Sequence, residues 1–464
     1  MHLPIHTEIN RLYIVKDGAA ATPLNASHVP VSTGHVLFSA YRVRLTQVAA
    51  GGGGWEGSIR SAGRGTPRRP TDRPTPPPVV GQQWGEPQRR RHAPRSQPRA
   101  SRIVMEVTER VANPAKCRVH LHIHLDGAIR PSTIWELSRQ KKLPLPGNGS
   151  LKELEEALQI HSPRDLAFFL SKFRWICPAV MGDLAAIERV AFEFVEDEAG
   201  SAVLYTEPRF SPHLLVGAGG QVTARQVTEA ALRGLARGQQ QFGVTARLLL
   251  CCIRGMTEFY SETLELCTEF RDKGVVGMDI AGDEASATTK DGDAHSCEQM
   301  LEPELKLFQE AARRGIHRTV HAGEAGPAYM VQVALDKMHA ERIGHGYHVL
   351  EDEELYKRCI KERVHFECCP SSSYLTGAVS LTQTKHPVQR FYEDGASFSV
   401  NLDDPTVIQA DMDTEYSLLR RMGFNEAMFA TMNFNAAKAS FLPDSEKKEL
   451  LKKLREAFGV PETD

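Results

Sequence analysis

The sequence of 464 residues lacks long hydrophobic runs, and its net charge is only −2. No stretch reaches the roughly 18 apolar residues of a membrane span, and the N-terminus has no basic region followed by an apolar core, so neither an anchor nor a secretion signal is predicted. The cysteines include the adjacent pairs Cys251–Cys252 and Cys368–Cys369. Adjacent residues of a strand face opposite sides, which does not suit a disulfide framework. We therefore expect a cytoplasmic protein with reduced thiols.

Residues 1–104 differ in composition from the rest of the chain. They carry 15 Lys and Arg against five acidic residues, so they stand near +10 and the remainder near −12. Their glycine run, proline-rich stretch and Arg/Pro/Gln tract bury too little apolar surface to offset the entropy of ordering. We interpret them as a disordered extension or as translated sequence upstream of a start at Met105. A basic arm that binds nucleic acid or an acidic membrane is the alternative, but its Arg-rich part offers only Trp55 and Trp84 for stacking.

From Val119 onward, short β-like runs alternate with longer helical patterns, which is typical of βα units around a parallel sheet. The runs are mostly apolar with little alternation, as expected of strands buried on both faces. The eight runs are Val119–His124, Val203–Glu207, Ala246–Cys252, Val275–Ala281, Arg318–His321, Arg342–His345, His365–Cys368 and Phe398–Leu402. Segments such as Glu304–Arg314 and Asp352–Lys361 indicate an outer ring of amphipathic helices. We predict a single α/β domain over 105–464, a (β/α)₈ barrel of the TIM type.

Residue types that bind metals or move protons stand at or just after the ends of four of these eight runs. They are His122 and His124 at the end of the first run, His321 at the end of the fifth with Glu324 just after it, His345 at the end of the sixth, and Asp403 and Asp404 just after the eighth. Residues two apart on a strand share a face, so His122 and His124 project together and form half of a zinc site. The C-terminal strand ends of such a barrel meet at its active-site face. The pattern therefore predicts a metal-dependent active site and disfavours a set of merely buried polar groups.

Six short motifs occur in order along this part of the chain. They are HIHLDG (His122–Gly127), AGDE (Ala281–Glu284), TVHAGE (Thr319–Glu324), RIGHGYH (Arg342–His348), CPSSSYLTG (Cys369–Gly377) and LDDP (Leu402–Pro405). Together they make the segment from Lys116 to the C-terminus, about three quarters of the chain, resemble the adenosine deaminases of the amidohydrolase superfamily. The resemblance implies a barrel of the metal-dependent hydrolase kind. It also implies hydrolysis of adenosine and 2′-deoxyadenosine to inosine, deoxyinosine and ammonia, in purine nucleoside metabolism and salvage.

Carried over residue by residue, the resemblance implies one Zn²⁺ per subunit, which lowers the pKa of a water to about 7 and so supplies a nucleophile. The implied ligands are His122, His124, His321 and Asp403. Asp404 fits a general base, and His345 fits an electrostatic orienter of the nucleophile. Glu324 is the candidate donor of a proton to adenine N1, and burial must then keep it protonated at neutral pH.

The resemblance also implies the substrate contacts. Gly282 has no side chain, so its backbone can approach the purine, and His124 and Asp404 also face the substrate. Asp126 would accept a hydrogen bond from the ribose 5′-hydroxyl and would repel a 5′-phosphate. The alternative for Asp126 is a turn residue before Gly127.

An insertion after the first strand carries an apolar stripe. Ser162–Phe173 and Asp183–Glu198 both read as helices in this insertion. The stripe recurs at helical spacing and consists of Leu166, Phe169, Leu170 and Phe173. Such a stripe is usually ordinary core. Its position after the first strand makes a lid over the nucleoside at least as favoured, because exclusion of water would help to keep Glu324 protonated.

Two residues depart from the family pattern. His120 stands where the family usually has an acidic residue. Strand alternation predicts that its side chain points inward with those of His122 and His124 but one layer below His122, so we interpret it as structural. Ser371 replaces a large aromatic residue.

Among rival functions, AMP deamination would need basic residues around a phosphate, which the motif loops lack. A nucleic-acid-binding protein with an inactive barrel is disfavoured because every catalytic position is present. We expect the nucleoside as partner, with neither nucleic acid nor a membrane span; the sequence identifies no protein partner.

Overall fold

The computed structural model describes residues 117–217, 219–287 and 300–461. The predicted extension 1–104 and the predicted domain start at 105 lie outside these residues. Eight parallel strands form a barrel in chain order. They are β1 (Arg118–His124), β2 (Val203–Phe210), β3 (Leu248–Ile253), β4 (Val275–Ala281), β5 (His317–Ala322), β6 (Arg342–His345), β7 (His365–Cys368) and β8 (Ser397–Val400). A two-residue strand, Thr245–Ala246, also pairs with β2. The predicted (β/α)₈ barrel is confirmed.

Helices surround the strands and connect them. In chain order they are α1 (Pro131–Gln140), α2 (Leu151–Leu158), α3 (Leu166–Leu170), α4 (Phe173–Val180), α5 (Leu184–Gly200), α6 (Ala224–Phe242), α7 (Tyr260–Glu269), α8 (Glu302–Arg313), α9 (Ala328–Asp336), α10 (Glu353–Glu362), α11 (Pro370–Leu375), α12 (Pro387–Glu393), α13 (Pro405–Ile408), α14 (Met412–Arg421), α15 (Glu426–Ala439) and α16 (Asp444–Phe458). Their buried apolar faces pack on the strands and form the core. Of the helices in the described part of the chain, none has the length and apolar character to cross a bilayer.

The barrel closes between its first and last strands. The His124 N–H donates to the carbonyl of Asp403 (2.9 Å), and the Asp403 N–H donates to the carbonyl of His122 (3.1 Å). The same closure holds two predicted metal ligands on neighbouring strand ends. Five of the eight strands differ from their predicted bounds, all by one to three residues at an end. β2 continues through Pro208, which lies opposite the register shift of β1, where a missing N–H costs little. β3 begins at Leu248, after an interruption at Arg247.

The insertion between β1 and β2 contains α1 to α5, and one of its predicted helices is wrong in extent. Ser162–Phe173 is not one helix: α3 begins only after Asp165, whose side chain accepts the N–H of Phe168 (2.7 Å), and α3 ends at Leu170. An aspartate here favours the capping position over the helix interior, which explains the late start. Helix α4 then begins at Phe173, so the apolar stripe spans two helices. The second prediction, Asp183–Glu198, corresponds to α5 with Asp183 as its cap.

Candidate active site and metal centre

A pocket of about 720 Å³, including its open mouth, lies at the C-terminal ends of the strands. Helix α3 and the first residue of α4, both in the insertion, cover one side of the pocket, and residues at or after the strand ends form the other side. The predicted site residues in its lining are His124, Asp126, Leu166, Phe169, Leu170, Phe173, Gly282, His321, Glu324, His345, Asp403 and Asp404. The remaining predicted ligand, His122, is fully buried beneath the pocket floor. The structure therefore brings all the predicted site residues to one face of the barrel.

Three imidazoles and one carboxylate converge at the pocket floor. One donor atom from each of His122, His124, His321 and Asp403 lies within 4.8 Å of all the others. The Nε2 atoms of His124 and His321 are 3.3 Å apart, and Asp403 Oδ1 lies 3.4 Å from Nε2 of both His122 and His124. Separations of this size allow one ion to touch all four donors.

Buried carboxylates bond the Nδ1 atoms of two of these imidazoles, the nitrogens that face away from the other donors. Nδ1 of His122 lies 2.8 Å from Glu367, and Nδ1 of His321 lies 2.9 Å from Asp279. A carboxylate at Nδ1 fixes the tautomer and leaves Nε2 free to bind a metal. Ser372 Oγ donates to the second oxygen of Asp403 (2.7 Å).

The donor set fits a metal ion. Nε2 of His122 is buried yet has no hydrogen-bond partner among the described residues, which is costly for a polar atom unless another group binds it. Three nitrogen donors and one oxygen donor form a common set for a divalent transition metal. The backbone supports the same reading: Asp403 has φ 71° and His345 has φ 62°. Such left-handed conformations are uncommon for residues other than glycine and concentrate at functional sites.

The groups suited to proton transfer surround this set. His345 Nε2 lies 3.6 Å from Glu324 Oε2 and 3.9 Å from Asp403 Oδ2. Burial, together with the charges of Asp403 and Glu284, raises the pKa of Glu324 well above its usual range. Burial and the adjacent charge of Asp403 likewise raise the pKa of Asp404. Glu324 Oε1 and Asp404 Oδ1 are buried and have no hydrogen-bond partner among the described residues, so both are available to a ligand.

The predicted substrate contacts lie around the same pocket. Asp126 is buried, its Oδ1 has no hydrogen-bond partner in the described chain, and burial raises its pKa to about 7. Gly282 has φ 105°, a conformation that few other residues adopt. Arg254 also lines the pocket, although it lies outside all six sequence motifs. Its guanidinium bonds Glu304 (2.5 Å) and the carbonyl of His321 (2.7 Å).

His120 and Ser371 stay outside this arrangement. Nδ1 of His120 bonds Glu198 in α5 (3.0 Å), and its Nε2 accepts the N–H of Leu402 (3.1 Å). The predicted inward orientation of His120 fails because the register of β1 shifts between His120 and Ile123, so the alternation does not continue past the shift. Ser371 donates its N–H to buried Glu415 (2.8 Å).

Glu367, Asp279, Arg209 and Ser372 were not predicted from the sequence. A signal was present for Asp279 and Glu367, because each is a charged residue within a predicted strand that is mostly apolar, whereas Arg209 lies beyond the predicted end of the second run. Such residues are rarely buried unless they are paired. In β2, Arg209 bonds Asp279 (2.8 Å) and Glu367 (2.9 Å). Ser372 sits in a run of three serines and carries no comparable signal.

Three histidines and an aspartate that could hold a metal ion lie at the C-terminal face of a parallel barrel, beside acidic groups suited to proton transfer. This arrangement is that of a metal-dependent hydrolase. Comparison with known proteins narrows this class. A family model described as adenosine deaminase matches residues 117–457. The adenosine deaminase of Gallus gallus is 45% identical over 358 residues, which cover 75% of this chain and 97% of the relative. The chain belongs to the adenosine deaminase family.

Solved structures agree with this assignment. An adenine deaminase from Arthrobacter aurescens is 26% identical with a TM-score of 0.62, over 75% of this chain and 100% of its own. An Arabidopsis N6-mAMP deaminase is 26% identical with a TM-score of 0.61, over 74% of this chain and 99% of its own. The names of these two proteins give different substrates. Whether this chain acts on a nucleobase, a nucleoside or a nucleotide therefore has to be inferred from the residues of its own pocket.

Proposed function

We propose that this protein hydrolyses adenosine and 2′-deoxyadenosine to inosine and deoxyinosine with release of ammonia. One observation carries the proposal: a possible four-donor metal set, two buried carboxyl groups suited to proton transfer and the buried carboxyl of Asp126 share one pocket in a chain of the adenosine deaminase family. The proposed place of the reaction is purine nucleoside metabolism in the cytoplasm. Eight free cysteines in the described chain, seven of them buried, support a reducing compartment.

We propose Zn²⁺ as the metal, bound by His122, His124, His321 and Asp403. When bound, zinc supplies a nucleophile at neutral pH by lowering the pKa of water to about 7. The donor set supports zinc because histidine nitrogens and a carboxylate oxygen are among the ligands that suit this ion. Glu367 and Asp279 then hold two of the ligand imidazoles in place.

Glu324 is the proposed proton donor to N1 of the purine. Attack at C6 breaks the C6–N1 double bond, so N1 must gain a proton in the same step. A carboxyl group can donate at neutral pH only if its pKa is raised, and burial raises the pKa of Glu324. The carboxyl also lacks a partner for Oε1, which leaves that oxygen facing a ligand.

Asp404 and His345 are the proposed groups that act on the attacking water and on the tetrahedral centre it forms. Asp404, with its raised pKa, would accept the proton of the attacking water and pass it to the leaving amine. His345 lies between Glu324 and Asp403, so its imidazole can orient the nucleophile and stabilise the developing tetrahedral centre.

The pocket walls support a nucleoside as substrate. Asp126 would accept the ribose 5′-hydroxyl, and Gly282, His124 and Asp404 would line the purine. The stripe Leu166, Phe169, Leu170 and Phe173 would cover it. A nucleotide is disfavoured because Asp126 would repel a phosphate. Arg254, the one Lys or Arg in the described lining, is already paired with Glu304.

The test is ammonia release by purified protein from adenosine, 2′-deoxyadenosine, AMP, N6-methyl-AMP and adenine. We expect activity on the two nucleosides and one equivalent of zinc. Glu324→Gln should keep the metal and lower kcat by about 10²- to 10⁴-fold, the range of general acid catalysis. Preference for a nucleotide or for adenine, or an active protein without metal, would refute the proposal.

A further inference from the structure

Glu284, the last residue of the AGDE motif, has no role in the site described so far. It follows β4 and is 1% exposed. Its carboxylate accepts four consecutive backbone N–H groups from the loop after β5. Gly323 donates to Oε1 (2.7 Å), while Glu324 (3.0 Å), Ala325 (2.9 Å) and Gly326 (2.8 Å) donate to Oε2. The loop that Glu284 holds therefore contains the proposed proton donor.

The loop is shaped around this carboxylate. A Cβ atom at Gly326 would lie 2.8 Å from Cδ of Glu284, closer than real Cβ contacts allow, so glycine leaves the space that the carboxylate fills. Four convergent N–H groups form a concave anion site in which each hydrogen bond is strengthened by the charge. On the other side of the loop, His348 holds the carbonyl of Gly326 with its Nδ1 (2.8 Å).

The side chain of Glu324 is much less restrained than its backbone. Its Oε1 has no hydrogen-bond partner in the described chain, its Oε2 is 3.6 Å from Nε2 of His345, and the hydroxyl of Thr376 is the one neutral side-chain group that interacts with the carboxyl. A carboxyl that must release a proton to a substrate cannot be tied by strong bonds of its own. Its direction must therefore come from the backbone that carries it.

We infer that Glu284 is a positioning residue: by clamping the four amides of residues 323–326, it aims the carboxyl of Glu324 at the substrate. The inference rests on the proposed role of Glu324. Proton transfer demands accurate placement, and a displacement of about 1 Å can cost about 10²-fold in rate. The negative charge of Glu284 also disfavours ionisation of Glu324, which acts in the same direction.

The test begins with Glu284→Gln. An amide has one acceptor oxygen, so its NH₂ group must face at least one backbone N–H and the four bonds cannot all persist. We expect kcat for adenosine to fall by about 10- to 100-fold, as for a displacement of about 1 Å. KM should stay within about threefold and the metal content should not change. Hydrogen exchange of the amides of 323–326 should quicken. Asp352→Asn is the matched control: Asp352 also accepts two backbone N–H groups, but at the start of α10 on the surface, and its loss should not change kcat.

A double-mutant cycle separates positioning from general damage. If Glu284 acts through Glu324, Glu284→Gln should lower kcat no further in a Glu324→Gln background. Equal losses in both backgrounds, or normal kcat in the single variant, would overturn the inference. If Glu284→Gln does not fold, Gly326→Ala, which displaces the same carboxylate, takes its place with the same expected and contrary results. If the wild-type protein lacks adenosine deaminase activity, the proposed function fails, and unchanged amide exchange in Glu284→Gln would separately refute the clamp.

Discussion

Glu415 offers a test of how burial shapes the stability of this barrel. It lies in α14, is 0% exposed, and accepts the Ser371 N–H with one oxygen. The second oxygen has no hydrogen-bond partner among the described residues. Burial raises the pKa of this carboxyl from 4.5 to about 7. The perturbation is Glu415→Gln, which keeps the shape and the oxygen that faces Ser371 but cannot ionise.

The sign of the effect follows from the raised pKa. Below pH 4.5 the carboxyl is neutral in both the folded and the unfolded states, so folding carries no cost of ionisation. Above pH 7 it is ionised in both states, and folding must bury the charge. The difference between about 7 and 4.5, at about 1.36 kcal/mol per pKa unit, amounts to about 3 kcal/mol. Glu415→Gln should therefore stabilise the protein by up to about 3 kcal/mol at pH 8 and by nothing measurable at pH 4.5.

The assay is urea unfolding of the wild type and the variant, both free of metal, at several values between pH 4.5 and 8. Removing the metal matters because its binding depends on pH and contributes to stability. Glu354→Gln is the control: this residue is exposed in α10, and its change should alter stability by less than about 0.5 kcal/mol at any pH. A variant no more stable than the wild type at pH 8 would refute the reasoning, as would a stability gain that does not shrink as the pH falls.

Three further predictions concern the site and the N-terminal segment 1–104. Glu367→Gln should weaken zinc binding by about 10- to 100-fold in a chelator competition, because the carboxylate that orients His122 loses its charge; unchanged affinity would contradict this role. Asp126→Asn should lower kcat/KM for adenosine more than for AMP, and equal losses on both substrates would argue against a contact to the 5′-position. Deletion of 1–104 should leave adenosine kinetics within about twofold; a larger loss would mean that this segment supports the catalytic domain.

The metal ligands were predictable because each one ends a strand. The HxH pattern of β1, His321 near the end of β5 and Asp403 just after β8 could be recognised because the C-terminal strand ends of a barrel converge. The residues that bond and orient these ligands could not be predicted from the sequence. Glu367 lies within β7 and contacts His122, 245 positions away in the chain, and sequence alone could not specify that pairing. Its charge within a buried strand was the one available signal, because such a charge demands a partner.

Local rules failed where neighbouring elements override them. Strict alternation along β1 predicted an inward His120, but the register shift before Ile123 breaks the alternation, and His120 bonds Glu198 instead. Helical spacing predicted one helix over Ser162–Phe173. The helical periodicity identified the apolar residues that line the pocket but not the gap of two residues between α3 and α4. A gap of this length hardly disturbs the spacing at i, i+4 and i+7.

The charges beneath the pocket support a divalent ion independently of ligand geometry. A connected set of buried carboxylates and guanidinium groups runs along the barrel axis. Its members are Glu207, Asp279, Glu367, Asp403, Arg209 and Arg342. Two cations do not balance four anions, and unpaired buried charge is costly. With neutral imidazoles, the excess equals the charge of one divalent cation. Arg209, which bonds the carboxylates behind His122 and His321, thus links the two predicted ligand imidazoles to this set of buried charges.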